Sequence, residues 1–324
     1  MPAAPLPAAH PAASSAALPA GLVRLDDWGV IRARGADARK FLHGQLTQDI
    51  EHLAGGRATL AGYCSAKGRL LATFVVWPDA GDDLLLACSA DLLPAVLKRL
   101  SMFVLRAQCK LSDASAELPL WGEAGGEQMV GDKAGDVWSV VAEGEASAIR
   151  LPDAVVDGAR QPRRLWAGAA PQGLPALDAG SWRWLEVMSG TARIVGATVE
   201  QFVPQMVNLE LVGGVNFQKG CYPGQEVVAR SQYRGTLKRR ACIVASEVAL
   251  APGSEIFHSA DPAQPAGLVA LAGSRAGSPA EGAHAALVEV KLAALEAGTL
   301  HAGSADGPLL TPRPLPYPLP AEAA

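Results

Sequence analysis

Lys219-Gly220-Cys221-Tyr222-Pro223-Gly224-Gln225-Glu226-Val227-Val228-Ala229-Arg230 packs a thiol, two glycines, a proline and both charge signs into one short stretch. Gly220 and Gly224 permit a tight backbone with φ > 0, and Pro223 fits a turn or the first position of a helix running through Gln225 and Glu226. Cys221 then sits on a loop at a helix start. Both that N-terminus and the adjacent Lys219 favour the thiolate, the form that attacks electrophiles or binds soft metals. The competing reading is a small buried residue in a structural turn, because no histidine accompanies the cysteine in sequence.

Charge rises immediately downstream. Lys219, Arg230, Arg234, Lys238, Arg239 and Arg240 face the single Glu226, a local balance of +5. Such a run is either a solvated face or a seat for an anionic ligand or partner. The whole chain of 324 residues carries −4, which excludes a general affinity for nucleic acid or acidic membrane. With 49% apolar and 19% charged residues it reads as globular, and its length predicts two or three domains.

Cys64, Cys88, Cys109, Cys221 and Cys242 are scattered, without C-x-x-C or Cys/His ligand spacing, so a metal held by this chain alone is not expected. Nor do they form a disulfide framework, which predicts a reducing compartment. No stretch is long and apolar enough to span a membrane. Residues 1–20 are mostly Ala, Pro, Ser and Leu without Arg or Lys; they read as a disordered tail, and the expected location is the cytoplasm.

Residues 22–35 read as strand, Asp26-Asp27 turn, strand, with Trp28 just past the turn, and a helix is predicted from Asp37 through Leu42. Strands are expected at 58–63, 68–77 and 83–87, the last two joined by a Gly81-Asp82 turn. A helix follows at 90–99 with Pro94 in its first turn, then a strand at 103–111. Residues 112–180 suggest a looser α+β unit. Ser181 to Gly190 reads as a helix. Short strands at 241–246, 267–272 and 284–290 separated by turns predict a small closed barrel, and the proline-rich tail from Pro312 is expected to lie over the surface. The class is α+β.

Leu25-Asp-Asp-Trp28, Gly44-Gln-Leu-Thr-Gln-Asp49, Ala66-Lys-Gly-Arg69, Phe202-Val-Pro-Gln205, Asn208-Leu209, Gly213-Gly214 and above all Lys219 to Arg230 resemble the bacterial YgfZ family, in order and spacing from about residue 22 to Tyr317. That family is related to the glycine cleavage T protein, a folate-dependent aminomethyltransferase, and to mitochondrial factors that mature 4Fe-4S proteins. The resemblance implies two ferredoxin-like α+β subdomains around a central channel for tetrahydrofolate, one from 21–111 with 181–240 and one from 112–180, followed by a C-terminal β-barrel from 241. It makes Cys221 the signature thiol, supported by Lys219, Gly220, Tyr222, Gly224, Gln225 and Glu226. Trp28 and Trp182 correspond to the two tryptophans linked with folate. Trp182 and Trp184 cannot both face one side of a helix, so Trp182 in the core is the alternative. From its fork of donors, we expect Arg230 to pair with the folate glutamate carboxylates.

Two departures from the transferase stand out. Its acidic pair has no counterpart between Gly68 and Val76, and Met188 falls where its pterin-gripping glutamate stands. The expected function is therefore a tetrahydrofolate-binding accessory protein for assembly or repair of iron–sulfur enzymes, including those that thiomethylate tRNA, acting through Cys221. Its partners would be folate and iron–sulfur assembly or client proteins, with direct tRNA contact left open. The alternatives are an aminomethyl transferase and a thiol redox enzyme, the latter disfavoured because Cys242 lies far from Cys221 in sequence.

Overall fold

The computed structural model of the protein describes residues 18–79, 83–126, 135–233, 237–275 and 283–320. The expected Gly81-Asp82 turn, Arg234 of the basic run and the first seventeen residues lie outside them. In chain order the elements are β1 (Gly21–Arg24), β2 (Trp28–Arg34), α1 (Ala38–His43), β3 (Thr59–Cys64), β4 (Leu70–Pro78), β5 (Leu84–Ser89), α2 (Leu93–Val104) and β6 (Lys110–Asp113). Next come β7 (Leu120–Ala124), β8 (Val140–Glu143), β9 (Ala146–Val156), β10 (Ala159–Ala167), α3 (Ala179–Met188) and α4 (Gln225–Tyr233). The chain ends in β11 (Arg239–Ser246), β12 (Glu255–His258), β13 (Gly267–Ser274), β14 (His284–Lys291), β15 (Leu300–Ala302) and β16 (Leu309–Arg313).

Two five-stranded sheets, ordered β3-β4-β5-β2-β6 and β1-β7-β10-β9-β8, precede a closed barrel ordered β11-β14-β13-β12-β15-β16. The α+β class and the barrel are as the sequence implies. In the first sheet β5 is buried at every position and β3 at all but its first, so these apolar runs are covered on both faces. Helix α2 packs on β2 and β6 with Pro94 in its first turn, where a missing N–H costs nothing.

Three local expectations change. The strand read at 103–111 is not formed: α2 continues to Val104, Leu105 turns with φ 47°, and only β6 joins the sheet. Val96 and Leu100 extend an apolar stripe from Leu93 at helical spacing, which outweighs the local alternation. Ahead of α3, which begins at Ala179, the 112–180 stretch supplies only strands among the described residues, and β1 completes their sheet. Thus β1 and β2 part company at Asp26-Asp27: Arg24 pairs opposite Trp121, and Trp28 opposite Ser89. Finally, the tail does not simply lie over the surface. Pro312 and Arg313 belong to β16, which closes the barrel beside β11 and β15 because Leu310 is buried inside it, and the Tyr317 hydroxyl donates to the Gly190 carbonyl at 2.6 Å.

Helix α3 joins these parts. Asp178 caps its N-terminus by accepting from the Ser181 N–H at 2.8 Å, and the helix packs on β1 and β9 of the second sheet and on β13 and β14 of the barrel. Its tryptophans face opposite ways, as helical spacing requires. Trp182 rests on Gly122, where a Cβ would come within 2.6 Å of the ring, and Trp184 lies against Gly273, where a Cβ would come within 2.1 Å of its backbone nitrogen.

Candidate functional site

The separated motifs converge on the cysteine loop. Thr47 donates its hydroxyl to Gly214 O and Gln48 donates its amide to Gly213 O, both at 2.6 Å, fastening the segment after α1 to the glycine pair that precedes the loop. Gln205 donates to Val228 O of α4 at 2.8 Å, and Arg69 donates to Gln201 O at 2.5 Å. Gly224, at φ 78°, lies so close to the β3–β4 turn that a Cβ would fall 2.4 Å from Ser65 O and 2.6 Å from Gly68 Cα. Gln225 opens α4, Glu226 in its first turn complements the helix dipole, and Tyr222 is buried beneath the loop.

Among the five cysteines only Cys221 is exposed. Burial pushes Cys64, Cys88 and Cys242 up to about 12, which keeps them as inert thiols. Lys219 differs from the expectation of a simple thiolate stabiliser. Its Nζ donates to the carbonyls of His43 and of Leu46, the latter at 2.8 Å, and stands 4.9 Å from the Tyr222 ring. Burial lowers its pKa to about 8. Its main structural work is to tie the loop to the exposed carbonyls at the end of α1.

A second feature lies between the two sheets and the C-terminal end of α3. This cleft, about 410 Å³ counted out to its open mouth, is lined by Trp28, Trp138, Thr73 and Leu60 on its sheet walls and by Arg163, Glu186 and Arg193. Glu186 and Arg193 form a buried fork: Nε donates to Oε1 at 3.0 Å and Nη2 to Oε2 at 3.1 Å. Arg193 also donates to Asp27 Oδ2 and Ser89 Oγ, and its guanidinium lies 4.7 Å from the centre of the Trp28 ring. Although burial opposes the charge of Asp27, Arg193 and Arg183 take its pKa below the ordinary carboxylate value. Arg163 is 3% exposed and has no carboxylate bound to it among the described residues; its Nε and Nη2 share Pro152 O, and burial lowers it to about 10. The Trp28 indole N–H is buried without an acceptor among the described residues.

The sequence-based residues therefore divide between two places. Cys221, Lys219, Gly220, Tyr222, Gly224, Gln225 and Glu226 form the loop and helix start; Trp28 lines the cleft. Trp182 does not line it: at 1% exposure its ring lies under Arg163, 5.3 Å away, so it supports the cleft wall from behind. Arg230 is exposed in the last turn of α4, outside the cleft lining. Met188 faces a different cavity, beside Trp184 and the barrel, and the carboxylate of α3 that lines the cleft is Glu186, two residues earlier. The acidic pair is absent from β4, which offers Thr73 to the cleft. Sequence reasoning missed Trp138, which enters from the second sheet on a left-handed backbone of φ 68°. It also missed Arg163, Glu186 and Arg193, for which helical and strand periodicity gave no signal.

Along β3, Leu60 at the cleft and Cys64 at the loop end are four residues apart, about 13 Å. The cysteine loop thus seats on the β3–β4 turn through Gly224, and the cleft is lined farther along the hairpin by Leu60, Thr73, Phe74 and Val75.

No family model matches the chain. The tRNA-modifying protein YgfZ of Edwardsiella ictaluri (strain 93-146) is 33% identical over 239 residues, spanning 68% of this chain and 70% of that protein. The protein of the same name from Yersinia pestis (strain Pestoides F) is 28% identical over 263 residues, spanning 76% and 77%. The crystal structure of glycine cleavage system aminomethyltransferase T from Bartonella henselae superposes with a TM-score of 0.63 at 15% identity, covering 92% of this chain and 86% of that one. That likeness is one of fold.

Proposed function

We propose, from the premise that this chain belongs to the YgfZ family, that it is a tetrahydrofolate-binding accessory protein for iron–sulfur enzymes that modify tRNA. Cys221 is its reactive group. The observation that carries this reading is the position of the one exposed cysteine: it is displayed on a loop seated on the β3–β4 turn through Gly224, outside the lining of the cleft. A thiol buried beside the folate would suit chemistry on a small molecule; one on the surface suits delivery to a macromolecular client or to an iron–sulfur assembly protein.

The cleft residues fit a pterin. Trp28 and Trp138 offer aromatic surface to a flat ring, and the unpaired Trp28 N–H offers a donor whose burial without a partner costs about 1–3 kcal/mol. Each Glu186 oxygen retains acceptor capacity beside its bond from Arg193, enough for an amino edge. Arg163 can donate to a ring carbonyl or carboxylate, while Leu60, Phe74 and Leu151 limit water. Bound tetrahydrofolate supplies a one-carbon carrier and a reducing pterin. Aminomethyl transfer is the weaker reading, because the only carboxylate among the described cleft residues is Glu186, already engaged by Arg193.

Calorimetric titration with tetrahydrofolate tests the assignment. Trp28→Ala is expected to weaken binding by about tenfold, the scale of one lost aromatic stack, and Arg163→Met by a similar factor. Cys221→Ala should stay within twofold of wild type. Unchanged affinity in Trp28→Ala and Arg163→Met would move the folate out of this cleft. No helix among the described residues is long and apolar enough to cross a membrane.

A further inference from the structure

We propose that His43 is the proton acceptor for Cys221 and that Asp49 holds it in the accepting tautomer. The inference rests on the reading of Cys221 as the reactive group and adds the base that the sequence does not place beside it.

His43 is the last residue of α1, and its Nδ1 lies 3.0 Å from Asp49 Oδ1. Burial pulls the Asp49 carboxyl upward, but hydrogen bonds from the His52 side chain and backbone and from His43 take its pKa below the ordinary value. An ionised carboxylate only accepts, so the proton resides on Nδ1 and the lone pair of a neutral ring is on Nε2. The Glu51 N–H also approaches Nδ1, at 3.5 Å, but the carboxylate contact is shorter and charge-assisted. Nε2 is turned toward the cysteine loop, 3.5 Å from where a Cβ on Gly220 would stand, and has no hydrogen-bond partner among the described residues. A larger side chain at 220 would lie against that nitrogen, whereas glycine leaves the approach from Cys221 open.

Lys219 supports the arrangement from below. Its ammonium binds the carbonyl of His43 itself, and its charge acts on both Asp49 and Cys221. The other charged residues on the elements around the pair are Arg39 and Lys40 on α1, Glu51 and His52 beyond Asp49, Lys67 and Arg69 in the β3–β4 turn, and Glu226 and Arg230 on α4. The order thiol, imidazole, carboxylate follows the logic of an activated nucleophile whose base is oriented by a third group. In the step, the Sγ–H bond breaks, its proton moves to Nε2 and its electron pair stays on sulfur; Asp49 stabilises the imidazolium. With iodoacetamide as electrophile, a sulfur–carbon bond forms, iodide departs with the carbon–iodine pair, and His43 returns the proton to water.

Iodoacetamide labelling of the full chain, read peptide by peptide by mass spectrometry, tests this without folate or client. At pH 7, His43→Gln and Asp49→Asn are expected to slow Cys221 alkylation by about tenfold, within the roughly thirtyfold that separates a fully ionised thiol from an ordinary one at that pH. At pH 10, where an ordinary thiol ionises unaided, the rates should converge within twofold. Cys109, half-buried beside Gly35 at the opposite end of α1 from His43, is the internal control and should not change. Wild-type alkylation of Cys221 at pH 7 in both variants overturns the proposal. Should His43→Gln also accelerate Cys109, the fold has loosened and Asp49→Asn decides by the same criterion. Because the readout needs neither folate nor client, its failure is distinct from complementation by Cys221→Ala, which would remove the underlying reading.

Discussion

Glu186→Leu is expected to lower the unfolding free energy by about 3 kcal/mol, because it strands one member of a buried ion pair. Arg193 is 5% exposed and every one of its nitrogens donates: to Glu186 through Nε and Nη2, to Asp27 through Nη2 and to Ser89 through Nη1. Removing the carboxylate leaves that charge with Asp27 alone, whose side chain is 35% exposed, and loosens the cation held over Trp28. Adding Arg193→Met to Glu186→Leu should restore part of the loss, since apolar groups of similar volume can replace a buried pair. Urea denaturation of the three proteins measures both effects. A loss below about 1 kcal/mol in the single variant would mean that desolvation already cancels the pairing in the native protein.

Gly224→Ala should act on the other end of the β3–β4 hairpin. Alanine at φ 78° carries a backbone cost of about 1–2 kcal/mol, and its methyl would meet two backbone atoms that cannot rotate away, Ser65 O at 2.4 Å and Gly68 Cα at 2.6 Å. The loop must therefore lift from the turn, taking Cys221 away from His43. Support of a client enzyme should fall to the level of Cys221→Ala, while tetrahydrofolate affinity stays within twofold because the cleft is elsewhere. Gly55→Ala, with nothing within 4 Å, serves as the neutral comparison. Client activity preserved in Gly224→Ala would show that close seating of the loop is dispensable.

Much of this was legible in the sequence where physical signals are local. Pro223 and Gly224 announced the turn before α4, and the short strands between glycine- and proline-rich turns announced the barrel. Pro94 marked the first turn of α2, though the end of that helix was lost because Phe103 to Leu111 carries alternation as well as helical spacing. What could not be read are meetings set by topology. His43 and the Lys219 that binds its carbonyl are separated by 176 positions, so the local sequence around Cys221 shows a lysine and no histidine, and the imidazole beside the loop emerges only in the fold. The cleft had the same character: Trp138, Arg163, Glu186 and Arg193 come from different elements. Trp182 was chosen for its ring, yet Gly122 opposite it in the second sheet provides the space that buries that ring in the wall. Met188, in the position of the transferase's glutamate, faces the barrel-side cavity, while Glu186, two residues away and so on the other side of the helix, supplies the carboxylate of the cleft.

The central claim is that the exposed thiol acts on a client while the cleft separately holds folate. The most direct test is complementation, in a strain lacking its own family member, by wild type and Cys221→Ala, with the thiomethylated tRNA nucleoside quantified. Wild type should restore the modification, and Cys221→Ala, expressed to the same level and binding tetrahydrofolate normally, should not. Restoration by Cys221→Ala to the wild-type level would contradict the account and leave the cysteine a packing residue of the loop.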